Sequence, residues 1–115
     1  MNHRIQASSD ILEGFCRKWK IKELSLFGSV LRNDFSPESD IDVLVAFSPG
    51  ARWSLLDISR MQDELSNTLG RNVDLVDLKG LRNPFRRREI LATKEVVYAS
   101  LRARRRIFVG HARRR

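Results

Sequence analysis

The segment GSVLRNDFSPESDIDVLVAF, residues 28 to 47, limits what this chain can fold into more than any other stretch. Its last part, IDVLVAF, is apolar and β-branched after one acid, the pattern of a strand covered on both faces and therefore central in a sheet. Ser48, Pro49 and Gly50 stop it with three turn formers in a row. Strand alternation places Asp40 and Asp42 on one face at the start of that strand. Upstream, Leu24 and Leu26 alternate with Glu23 and Ser25 before Phe27 and Gly28, which reads as a second, short strand closing at a turn.

A central strand needs helices to cover it, and the flanking sequence supplies them. Asp10 followed by Glu13 resembles a capping box, and Ile11, Leu12, Phe15, Cys16 and Trp19 recur at helical spacing to about Lys20. Ser54 is suited to cap a helix in which Leu55, Ile58, Met61, Leu65 and Leu69 share a face and Gly70 gives the stop. Val73 to Asp77 reads as a third strand, and Asn83 with Pro84 opens a shorter helix. Val96, Val97 and Tyr98 form either a last edge strand or an extension. The order helix, strand, strand, helix, strand, helix implies an α/β (α+β) domain, a small mixed β-sheet with flanking helices on one or both faces.

At 115 residues there is length for one domain, with 42% hydrophobic and 31% charged residues in the proportion of a soluble globular protein. Residues 1–100 are expected to form it and residues 101–115 an Arg-rich tail. The net charge of +8 is mostly that tail's: Arg102, Arg104, Arg105, Arg106, Arg113, Arg114 and Arg115 contribute seven charges, which leaves +1 for the rest. The basic balance thus argues for nucleic acid, or an acidic partner surface, only through the tail, and a solvated tail explains it as well. Cys16 is the only cysteine, so no intrachain disulfide forms and a reducing cytoplasm is expected. No stretch has the roughly twenty apolar residues of a membrane span, nor does the first segment look like a signal peptide. Trp19 and Trp53 are expected to pack in the core or at an interface, since neither lies in a basic aromatic cluster.

Two ionised carboxylates on one face of an apolar strand are unfavourable unless something positive is held between them. Oxygen-only ligands favour a hard ion such as Mg²⁺, which completes its shell with water and substrate phosphates. Asp74, in VDLVD, joins the pair if its strand lies beside the Ile41 to Phe47 strand, whereas Asp77 points to the opposite face. Three converging acids are what a two-metal site for displacement at phosphorus needs. Gly28 and Ser29 make a turn where backbone N–H groups can face an anion, such as a triphosphate, and Arg32 is either a phosphate contact or a structural ion-pair partner. Taken singly, Gly-Ser is usually a plain turn and Asp-x-Asp often a cap. The combination at fixed spacing, with a third acid in another strand, is what points to phosphoryl transfer.

Gly28 and Ser29, ten residues, then Asp40 and Asp42 resemble the mark of the minimal nucleotidyltransferase (MNT) family within the DNA polymerase β-like superfamily. The likeness runs from about Leu24 to Asp77 and more faintly through NPFRRREI and VVY. It implies the nucleotidyltransferase fold, with Asp40, Asp42 and Asp74 as metal ligands for two Mg²⁺ ions, Asp74 also assisting the acceptor hydroxyl, and Gly28 with Ser29 holding the triphosphate of ATP. The sequence departs where the family usually has Arg-Gly, since Asn33 follows Arg32; asparagine is the next best residue at a positive φ. Small members of the family resemble antitoxins that act beside a HEPN-domain toxin, either adding AMP to a tyrosine of that partner or neutralising it by binding. Larger relatives carry further domains for their acceptors, for which this chain has no length.

Overall fold

The computed structural model describes residues 9–28 and 40–100. In it α1 spans Ser9–Lys18, β1 Ile21–Phe27, β2 Ile41–Phe47, α2 Leu55–Leu69, β3 Val73–Asp77, α3 Pro84–Thr93 and β4 Glu95–Ala99, with a short 3₁₀ turn at Leu78–Gly80. The strands form one sheet in the order β3-β2-β1-β4. β1 pairs antiparallel with both β2 and β4, while β2 and β3 run parallel. A parallel pair requires a crossover, and α2 provides it.

Local chemistry explains most of these boundaries. Ser54 Oγ accepts from the Asp57 amide at 3.1 Å while Asp57 Oδ2 accepts from the Ser54 amide at 3.0 Å, a reciprocal cap that starts α2. Gly70 ends the helix in the left-handed conformation at φ 68°. Asn83 Oδ1 accepts from the amides of Phe85 and Arg86, and Pro84 occupies the first turn of α3, where a missing N–H costs nothing. The first helix differs from its sequence reading: it already includes Ser9 and Asp10 and ends at Lys18, so Asp10 lies in its first turn, near the positive end of the helix dipole. The undecided VVY segment is the edge strand β4.

The sheet is covered on both faces, but unequally. Alternation sends Leu24 and Leu26 of β1, Ile41, Val43 and Val45 of β2, and Val73 and Leu75 of β3 to one side. There they pack with Leu12, Phe15 and Cys16 of α1 and Met61, Leu65 and Leu69 of α2. Trp19 and Trp53 close this core in an edge-to-face pair with ring centroids 5.2 Å apart, their indole N–H groups donating to Glu64 and to the Trp19 carbonyl. The opposite side holds a smaller cluster, Phe27, Leu44, Leu81 and Ile90, beneath α3. Buried Ser25 on that side donates to Glu23, whose carboxylate also pairs with Lys94, so the polar groups there satisfy one another.

Candidate active site on the α3 face of the sheet

The pairing register decides which acids can meet. Phe27 is the cross-strand partner of Asp42, and Asp42 is the partner of Asp74, so the three stand in one row across β1, β2 and β3. In-register residues on neighbouring strands share a face and lie about 5 Å apart. Asp74 therefore joins Asp42 as its strand neighbour, as expected if β3 lay beside β2. Asp77 pairs with Val45 on the other face and caps the following turn, accepting from the Lys79 amide at 3.0 Å, which gives it a structural task.

Gly28 follows Phe27 directly with φ 75°, a conformation that side-chain-bearing residues rarely adopt. A Cβ built on it falls 2.3 Å from Asp42 Oδ2, so the Asp42 carboxylate occupies the space that a larger residue would fill. The turn glycine thus has two reasons to be glycine, its φ and this close approach. Asp42 is half-buried, whereas Asp40, one residue before β2, and Asp74 are exposed. Ser29 and Arg32, expected at a phosphate cradle, lie outside the described residues, as does the Arg-rich tail.

Phe27, Gly28 and Asp42 form one wall of a cleft of about 600 Å³, and Arg86, Glu89, Ile90 and Thr93 form the other. Spacings of three, four and seven put these α3 residues on one helical face. Neither Asp40 nor Asp74 lines the cleft, and among the described residues no group of three or more His, Cys, Asp or Glu side chains stands close enough to hold a metal ion by itself. The donor set that the fold does supply, two in-register carboxylates with an open cleft beside them, suits Mg²⁺, which takes one or two carboxylates and fills its shell with water and phosphate oxygens.

Arg86, Glu89 and Thr93 were not found by reasoning on sequence. The signal was present as a polar stripe at i, i+3 and i+7 in α3, but nothing in one dimension says that this stripe faces Asp42. Cys16 is no part of the site: burial pushes its thiol up to about 12, which keeps it protonated and inert at neutral pH.

Known proteins resemble the chain in sequence and in fold. A model of the nucleotidyltransferase domain matches residues 8–98. A Methanocaldococcus jannaschii protein provisionally named a protein adenylyltransferase is 36% identical over 73 residues, which is 64% of this chain and 73% of the relative. A solved structure, provisionally a minimal nucleotidyltransferase, is 34% identical, with 76% of this chain and 85% of the other superposing at a TM-score of 0.61. A chain from the complex of a tri-AMPylated Shewanella oneidensis HEPN toxin with its MNT antitoxin is 20% identical, over 82% of this chain and 71% of the other, at a TM-score of 0.58, a likeness of fold. No described helix is long and apolar enough to cross a membrane.

Proposed function

The chain belongs to the nucleotidyltransferase domain family, and on that premise we propose that it moves AMP from ATP onto a tyrosine hydroxyl of a HEPN-type toxin, acting as its antitoxin. The observation that carries this reading is the register that pairs Asp42 with Asp74 next to Gly28 and an open cleft. Support for the adenylyl group and the protein acceptor comes from the M. jannaschii relative's name, and for the HEPN partner from the S. oneidensis complex.

In the proposed reaction the acceptor oxygen attacks the α-phosphorus, the bond to the bridging oxygen of the β-phosphate breaks, and pyrophosphate leaves with that electron pair. Asp74 draws the proton from the attacking hydroxyl. Asp42, with Asp40 at the start of the strand, would hold Mg²⁺, two ions in the full site, at the α-phosphate end of the donor. Magnesium supplies neutralisation of the charge that develops on the phosphate oxygens. Gly28 lets the phosphates approach the backbone, and Ser29 and Arg32 complete that cradle.

The test is transfer of label from α-labelled ATP to a co-purified HEPN partner with Mg²⁺ present. Label on the partner that disappears in Asp42→Asn supports the reading; no transfer from any nucleoside triphosphate removes it. The absence of a ready three-acid group among the described residues favours one second reading, neutralisation by complex formation alone. That reading requires Asp42→Asn to protect cells from the toxin as well as the parent chain does.

A further inference from the structure

Three consecutive arginines open α3, and the structure gives them different circumstances. The Arg87 guanidinium is committed to the Leu78 carbonyl at 2.9 Å, tying the helix to the turn after β3. Arg88 is exposed and does not line the cleft. Arg86 faces the cleft opposite Asp42 and Gly28, and among the described residues its guanidinium has neither a hydrogen bond nor an ion pair. It is also the only cationic side chain lining that cleft among the described residues, and Glu89, one turn further, is the only other charged group on its wall.

We propose that Arg86 is a binding residue for the β- and γ-phosphates of the donor nucleotide, and so for the pyrophosphate that leaves. This rests on the transfer reading above and adds a contact from the wall opposite the acids. The α-phosphate belongs beside Asp42, and Arg86 adds positive charge for the rest of the triphosphate from the wall that faces Gly28. A guanidinium offers a planar fork of N–H donors that matches phosphate oxygens two at a time. Its location on a helix that is anchored by Arg87 and capped at Asn83 holds that fork at the cleft wall. Glu89 would repel phosphate, which confines the anion to the Arg86 end of the helix face.

The experiment compares the affinities of ATP and AMP, each with Mg²⁺, for the parent chain and for Arg86→Ala, Arg86→Lys and Arg88→Ala by titration calorimetry. Loss of a charge-assisted contact predicts that Arg86→Ala weakens ATP by about 10- to 100-fold and leaves AMP unchanged. Arg86→Lys recovers part of that loss, and Arg88→Ala, which removes the same charge away from the cleft, changes neither nucleotide. Unchanged ATP affinity in Arg86→Ala, or an equal loss for ATP and AMP, overturns the phosphate assignment while leaving nucleotide binding by the chain intact. A parent chain that binds no nucleotide would remove the transfer reading itself, and this inference with it.

Discussion

The two faces of the sheet are built from the same strands and do opposite work. On the α1 and α2 side, the inward residues of β2 are apolar: Ile41, Val43 and Val45 are each 1% exposed or less, and Phe47 is half-buried against the same core. On the α3 side the same strand offers Asp42 and Leu44, one acid and one leucine, under a helix whose cleft-facing stripe is largely polar. Strand alternation makes this division possible, because neighbouring residues answer to different surroundings. One face can carry the stability while the other carries charges that would not survive in a packed core. Substitutions on one face should therefore move stability with little effect on chemistry, and substitutions on the other should do the reverse.

The largest expected effect is on chemistry. Asp42→Asn should lower transfer by about 10³-fold or more, equivalent to roughly 4 kcal/mol of transition-state stabilisation. It should change stability little, since asparagine keeps the shape of the half-buried Asp42. Single-turnover kinetics and urea denaturation on the same preparation measure both quantities. A variant that loses activity because it unfolds would break the separation of faces.

Next comes the mirror experiment in α2. Leu65 is fully buried at 0% exposure, and Leu65→Ala should destabilise by about 2 to 5 kcal/mol from lost burial and the cavity left behind. Nucleotide affinity at a temperature where the variant is still folded should stay within about twofold, a small shift beside the tenfold that 1.4 kcal/mol represents. A smaller and mixed effect belongs to Gly28→Ala, which sits where the faces meet the cleft. Its positive φ costs about 1 to 2 kcal/mol with a Cβ present, and the Asp42 carboxylate must move as well. Stability and nucleotide binding should fall together there, and a variant that lost only one of them would show that Gly28 answers to one constraint, not two.

How much of this was visible beforehand follows the same division. β2, α2 and β3 were legible because an apolar run, a capped amphipathic stretch and its glycine stop are local patterns. The face of Asp42, and the opposite face of Asp77, followed from alternation within a strand, whereas Asp40 lies one residue before β2. What was hidden involves partners distant in the chain: β4 as the neighbour of β1, the Lys94–Glu23 pair, and the α3 stripe turned toward Asp42. Pairing between strands leaves no periodic trace in either one, so the register of Asp42 with Asp74 was available only as a condition. Gly28 was read as an approach point for phosphate; that the Asp42 carboxylate needs the same missing Cβ is a contact between residues that no spacing rule reports.

The smallest effect tests whether the stable face depends on charge at all. Asp57 accepts from the Ser54 amide and hydroxyl, and these hydrogen bonds, the backbone one first, lower its carboxyl below the ordinary 3.8. A carboxylate whose pKa is lower folded than unfolded adds stability that is fully present above the unfolded value. That stability fades as pH falls through the folded one. Denaturation midpoints measured from pH 6 down to about pH 2.5 should thus decline more for the parent chain than for Asp57→Asn, with the two curves converging at the acid end. Because the group is on the surface, salt should narrow the difference. Parallel curves would mean that Asp57 has no share in the acid dependence, and that the α2 face draws its stability from burial alone.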